Sequence, residues 1–175
     1  MNATILAKAR LIRLLILDVD GVLTDGGLQF NNRGDETKTF NSLDGQGMRM
    51  LLENEIEIAI ITGRKSDIVS KRMNDLGIRH VFQGNHQKLP IYEKLISELA
   101  LEPTQVAYVG DDLPDLPIMR RVGLSIAVSN AHEFVRQHSD LVTHTSGGKG
   151  AVREVSDLIL QAQSRLDTLQ EAYLE

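Results

Sequence analysis

The chain has 175 residues, 42% apolar and 25% charged, an ordinary globular balance that predicts one domain, residues 1–175, with its own core. Its net charge of −5, from 24 acidic against 19 basic residues, argues against nucleic acid or an anionic membrane as partner. The absence of cysteine excludes disulfides, a thiolate nucleophile and cysteine-held zinc, so any metal must sit on oxygen or histidine ligands.

Met1 to Arg13 is too short, and too interrupted by Lys8 and Arg10, to be a secretory signal. No apolar run approaches membrane-spanning length, and a cytoplasmic protein is expected. Leu14–Leu17, Ile58–Ile61 and Val106–Val109 are short apolar runs, each ending in a polar cluster. Runs of this kind suit parallel strands covered on both faces. Weaker strands follow at Leu124–Val128 and Asp140–Thr143. Helices are predicted over Gly45–Asn54, Ser66–Leu76, Lys88–Leu99, Leu113–Arg121, His132–His138 and from Ala151 onward, with Ser66 as an N-cap and Gly77 as a C-terminal stop. The alternation predicts an α/β fold, a doubly wound and mainly parallel sheet in a Rossmann-like sandwich.

One segment breaks the rhythm. Gly27 to Phe40 holds two short extended runs around Asn31–Gly34 and reads as a protruding β-hairpin over the carboxyl edge of the sheet. A merely decorative surface hairpin is the alternative. The final stretch, about 151–175, becomes polar enough towards its end to fray or to dock on a neighbour.

Loops leaving the carboxyl ends of the strands in such a sheet converge on one crevice. Asp18 and Asp20 follow the first strand in DVDGVLTDG, Thr62 and Gly63 follow the second in TGR, Lys88 opens a helix, and Asp111 and Asp112 follow the third long strand in GDDLPD. These residue types suit phosphoryl transfer. A carboxylate can attack phosphorus, but two anions repel, so a divalent cation and fixed donors are needed. Asp18 and Asp111 can hold Mg²⁺, Thr62 and Lys88 can bind phosphate, and Asp20 can act as general acid and base.

The arrangement resembles the haloacid dehalogenase superfamily of phosphatases, whose four motifs occur in the same order across Asp18 to Asp115. The resemblance implies Asp18 as nucleophile and Asp20 as acid/base. It also implies Asp18, the Asp20 carbonyl and Asp111 as metal ligands, with Asp112 and Asp115 in support. The interval from Asp25 to Thr62 holds only the hairpin and one helix, so no cap domain fits. Small size, the early hairpin, FNSLDGQG at Phe40–Gly47 and GGKGAVRE at Gly147–Glu154 look like the capless members that act on an eight-carbon 3-deoxy sugar acid phosphorylated at position 8. That resemblance implies a small acidic sugar phosphate as partner and a homotetramer. A nine-carbon sialic-acid-type sugar 9-phosphate has a similar layout and is the alternative.

Substrate contacts are expected from Asp20, Asn41, Ser42, Leu43, Asp44, Gly45, Arg49, Arg64, Arg72 and Lys88. Some relatives carry arginine where this chain has Leu43, which leaves Asn41, the backbone and Asp44 as the contacts there. Arginine forks suit carboxylates. For Arg49 and Arg72 a solvated helix face is the alternative; Arg72 lies about 12 Å along a helix from Arg64 and could serve a neighbouring subunit. The five histidines lack metal-site spacing and read as surface or loop residues, and an EF-hand pattern is absent around Asp18–Asp25. A receiver-like signalling domain would carry its acidic pair and phospho-accepting aspartate on different strands, whereas here Asp18 and Asp20 share one loop. An inactive scaffold would need none of Asp18, Asp20, Thr62, Lys88 and Asp111.

Overall fold

The computed structural model describes residues 2–174. In chain order the elements are α1 (Ala3–Arg10), β1 (Leu14–Leu17), β2 (Gln29–Phe30), β3 (Glu36–Thr37), α2 (Ser42–Glu53), β4 (Glu57–Ile61), α3 (Asp67–Asp75), β5 (His80–Phe82), α4 (Lys88–Glu98), β6 (Val106–Gly110), α5 (Leu116–Met119), β7 (Leu124–Ala127), α6 (Glu133–Gln137), β8 (Leu141–Val142), α7 (Ala151–Ala162) and α8 (Leu166–Glu171). Six strands form one sheet in the order β5-β4-β1-β6-β7-β8, and every pairing is parallel. β1 lies inside, with Leu14 opposite Glu57 on one side and Val106 on the other.

The connection after β1 runs towards β4 and β5, while that after β6 runs towards β7 and β8. Crossovers between parallel strands are right-handed, so the two directions place their helices on opposite faces of the sheet. α7 packs on both α1 and α2, and α4 packs on α5. With both faces covered, β1, β6 and β7 are buried throughout, which accounts for the apolar runs of β1 and β6; the one polar side chain of β7, Ser125, bonds Asp140.

Several boundaries differ from the sequence expectations. α1 is a full helix capped by the Asn2 side chain, although its mixed composition predicts nothing regular. α2 starts at Ser42 rather than Gly45, because Asn41 caps it by accepting from the Leu43 N–H. Ser66 stands at the N-cap of α3 without a side-chain capping bond; Gly77 ends that segment with φ +76°. The helix expected over Leu113–Arg121 is divided into a 3₁₀ turn at Leu113–Asp115 and the four-residue α5, each with a proline in its first turn. At the chain's end Tyr173 takes a hydrogen bond from Gln46 of α2, so the last segment docks on its own chain.

The hairpin is present but slight. β2 and β3 pair antiparallel over two residues each, and Asn31 Oδ1 holds the turn by accepting from the backbone of Arg33 and Asp35. Leu28 and Phe30 are 51% and 56% exposed. Phe40, expected to lack a partner in its own sandwich, instead packs against the core below the Arg72 guanidinium. Between β1 and β4 stand only this hairpin and α2, so no cap domain is inserted. Among the described residues no helix is long and apolar enough to cross a membrane.

Candidate active site

β1 and β6 are neighbours whose onward connections diverge, and such a switch point opens a crevice at the carboxyl ends of the strands. Asp18 leaves β1 there, its N–H still donating to the Val109 carbonyl at 3.2 Å. Asp111 follows β6, Thr62 follows β4, and Lys88 begins α4. The loop after Asp20 turns through Gly21 at φ +94°, where a Cβ would stand 2.1 Å from an Asp111 carboxylate oxygen. Only glycine lets the two acidic loops approach so closely.

A cavity of about 290 Å³ opens at this point. Asp18, Asp20, Thr62, Gly63, Arg64, Lys88, Asp111, Asp112 and Asp115 all line it, as do His86 and Pro114. At its floor Lys88, 5% exposed, places Nζ 3.0 Å from Asp18 Oδ2 and 2.7 Å from Asp115 Oδ1. Asp115 also accepts from the Tyr108 hydroxyl at 2.7 Å and from the N–H groups of Asp111 and Asp112. It therefore fixes both the lysine and the loop after β6.

The charge of this floor does not balance. Carboxylate oxygens of Asp18, Asp111 and Asp115 lie within 4.8 Å of one another, against a single ammonium, Lys88. Burial, then the Asp115 charge, pushes the Asp18 carboxyl up to about 6 even with Lys88 opposing. Burial and the charges of Asp115 and Asp18 push Asp111 up to about 8. Burial works against the charge on Lys88, but Asp115 and Asp18 outweigh it and raise its pKa. Asp18 Oδ1 is buried and has no hydrogen-bond partner among the described residues. A hard divalent cation fits this donor set, because three converging carboxylates face one ammonium.

Other expected residues lie elsewhere. Asn41 to Gly45, Arg49 and Arg72 do not line the cavity. Asn41 spends its side chain on the α2 cap and on the Gly148 carbonyl. Asp44 is 1% exposed and accepts the Arg153 N–H at 2.8 Å, joining α2 to the start of α7; burial raises its pKa. Gly45 is closed over by Arg72, whose Nη2 lies 2.4 Å from where a Cβ would be. Arg49 is exposed and bonds the Asp75 carbonyl. Ser42 and Leu43 are also exposed.

Sequence reasoning missed two residues beside the cavity's acid. Lys38, at the foot of the hairpin, contacts Asp20 Oδ1, and Glu36 binds the Arg64 guanidinium at 2.6 Å. Their spacing of two in a strand puts both side chains on one face, and that was the available signal. His86, read as a loop residue, stands against Gly63 at the rim.

Comparisons with known proteins place the whole chain among phosphatases. A family model described as haloacid dehalogenase-like hydrolase matches residues 74–155. The chain is 53% identical over 167 residues to 3-deoxy-D-manno-octulosonate 8-phosphate phosphatase KdsC of Escherichia coli strain K12, covering 95% of this chain and 89% of that one. The crystal structure of the phosphatase of that name from Moraxella catarrhalis, in complex with magnesium ion, phosphate ion and KDO, aligns with a TM-score of 0.94 at 45% identity, covering 97% of each chain. The cobalt-bound form of the Haemophilus influenzae phosphatase aligns with a TM-score of 0.91 at 40% identity, over 96% of this chain and 99% of that one.

Proposed function

For a chain that belongs to the 3-deoxy-D-manno-octulosonate 8-phosphate phosphatases, capless haloacid dehalogenase-like hydrolases, we propose the following reaction and assignment of roles. The enzyme is a Mg²⁺-dependent phosphoric monoester hydrolase. It converts 3-deoxy-D-manno-octulosonate 8-phosphate to the free sugar acid and phosphate, a step in making lipopolysaccharide precursors. Residues 1–175 act as one phosphatase domain in the cytoplasm.

The observation that carries the mechanism is the unpartnered Asp18 Oδ1, beside an Oδ2 held by Lys88. The free oxygen attacks phosphorus, and the bond from phosphorus to the sugar's C8 oxygen breaks. Asp20 gives its proton to the departing oxygen. In the second half the Asp20 carboxylate takes a proton from water, whose oxygen attacks the aspartyl phosphate and releases inorganic phosphate and Asp18. Thr62, Gly63 and Lys88 bind the phosphoryl oxygens. Asp18, the Asp20 carbonyl and Asp111 hold Mg²⁺, with Asp112 and Asp115 in support; when bound, the ion neutralises charge between nucleophile and phosphate.

Arg64, at the rim, reaches the sugar acid in its own protomer. Arg49 and Arg72 lie away from this cavity, and we assign them, with exposed Ser42 and Leu43, to a neighbouring subunit's site in a homotetramer. The exposed Leu28 and Phe30 support such an assembly, since apolar hairpin edges favour being covered. A panel of sugar phosphates assayed with Mg²⁺ tests the substrate. The eight-carbon 8-phosphate should give the highest kcat/KM; a preference for the nine-carbon 9-phosphate would overturn the assignment.

A further inference from the structure

Asp20 is gripped from two sides by residues of different loops. Lys38, the residue after β3, hydrogen-bonds Oδ1, and Arg64 stands beside Oδ2 with Nε at 3.4 Å, an ion pair without a hydrogen bond among the described residues. Glu36 closes a ring, binding Arg64 Nη2 at 2.6 Å and standing 3.3 Å from Lys38 Nζ. Phe30 adds its ring face 5.8 Å from the Arg64 guanidinium. Two carboxylates and two cations make the ring neutral.

Exposed ion pairs of this kind count for little, but Lys38 is not exposed: 2% of its side chain meets solvent. A lysine carries a large desolvation cost when buried and is tolerated only with partners. Its charged partners among the described residues are Asp20 and Glu36. The hairpin thus spends its one buried cation on a residue of the β1 loop, outside its own two-stranded ladder.

We propose that Lys38 is a positioning residue that holds the Asp20 carboxylate in its reactive orientation, so that the hairpin is part of each protomer's own catalytic unit. The inference rests on the reading of Asp20 as acid/base. With Lys38 and Arg64 on its two oxygens, the carboxylate plane is set relative to the leaving oxygen, and a displacement of about 1 Å at such a group costs rate on the order of 100-fold. Deleting the lysine side chain removes the hydrogen bond on Oδ1 and leaves only the Arg64 charge beside Oδ2.

The test compares substrates with different needs for a proton. Lys38→Met should lower kcat/KM for the sugar phosphate roughly 10- to 100-fold. It should lower kcat/KM for p-nitrophenyl phosphate less than about threefold, because nitrophenolate leaves without protonation. In an Asp20→Asn background the Lys38→Met change should add nothing, since both act through one group. As the chain has no cysteine, Lys38→Cys can be alkylated with 2-bromoethylamine in denaturant and refolded, and the restored ammonium should recover the sugar-phosphate rate. Equal losses on both substrates, an undiminished loss in the Asp20→Asn background, or failure of the aminoethyl group to rescue would overturn the proposal. Impaired Asp20→Asn beside fully active Lys38→Met would overturn the positioning role and leave the acid/base assignment standing. Wild-type turnover by Asp20→Asn would remove both.

Discussion

The floor of the crevice and the hairpin above it answer the same problem, placing charge, by different means. On the floor, Asp115 and Lys88 are 1% and 5% exposed, and the acid serves one ammonium, one phenol and two backbone N–H groups at once. That hub is anchored by β6 and α4, whose positions the whole sandwich enforces. The hairpin has two residue pairs of ladder, and its apolar residues Leu28 and Phe30 are more than half exposed. Its fixed point is the Asp20–Lys38–Glu36–Arg64 ring. On the roles proposed above, the difference separates bond-making from alignment: Asp18 and Lys88 sit where the core cannot shift, and Lys38 sits on a segment held by the site itself.

The contrast breaks down most visibly at the nucleophile. Asp18→Asn should lower kcat by roughly 10⁴-fold or more while the protein stays folded, because the amide cannot form an acyl phosphate and Lys88 keeps Asp115. Steady-state rates beside thermal melts check this, and near-wild-type turnover would sink the covalent mechanism. Asp115→Ala should destabilise the fold by about 1–3 kcal/mol, because the buried Tyr108 hydroxyl and the Asp111 and Asp112 N–H groups lose their acceptor while Lys88 keeps Asp18, and urea denaturation measures it. A loss below roughly 1 kcal/mol would mean that the floor is not the rigid region described.

The third expectation concerns pH. Without metal, Asp18 at about 6 and Asp111 at about 8 lie above their ordinary 3.8. Between roughly pH 4 and 8 the folded state therefore retains protons that the unfolded chain has released, and stability falls as pH rises through that window. Lys88, with its pKa raised, keeps its contribution there and loses it only in alkali. Mg²⁺ needs the deprotonated carboxylates, so its stabilisation should grow from pH 5 to pH 8. Melting temperatures with Mg²⁺ and with chelator decide this, and Asp111→Asn should flatten the metal-free slope. A metal-free Tm that climbs across the window would contradict the sign. The smallest effect belongs to the hairpin's exposed apolar side: Leu28→Ser with Phe30→Ser should change protomer stability by less than about 0.5 kcal/mol yet lower the mass seen by light scattering. An unchanged mass, or a wild-type monomer, would show that these two residues have no part in assembly.

Most of the sandwich and the cavity were legible in the sequence, because strand ends in a parallel sheet force their loops together. Asp18, Thr62, Lys88 and Asp111 needed only that topology. Lys38 stayed hidden because its approach to Asp20, 18 residues earlier, depends on how the hairpin folds back. The absence of Asn41 and Asp44 from the cavity lining has a related reason: their partners Gly148 and Arg153 come from the far end of the chain, 107 and 109 residues on. The divided α5 region was marked by Pro114 and Pro117, which apolar periodicity alone outweighed.

Gly147 is packed so closely on the loop after Asp20 that a Cβ there would stand 1.7 Å from the Gly21 carbonyl oxygen, and the Gly148 N–H binds the Val22 carbonyl at 2.9 Å. The loop after Asp18 is thus clasped by residues translated long after it. During synthesis a ribosome-bound chain that has exposed β1, β4 and even β6 still lacks this clasp. Hydrolysis should therefore begin only after the stretch Gly147–Gly150 has left the exit tunnel. Turnover in stalled nascent chains of increasing length would report the moment at which the two ends of the fold close on each other.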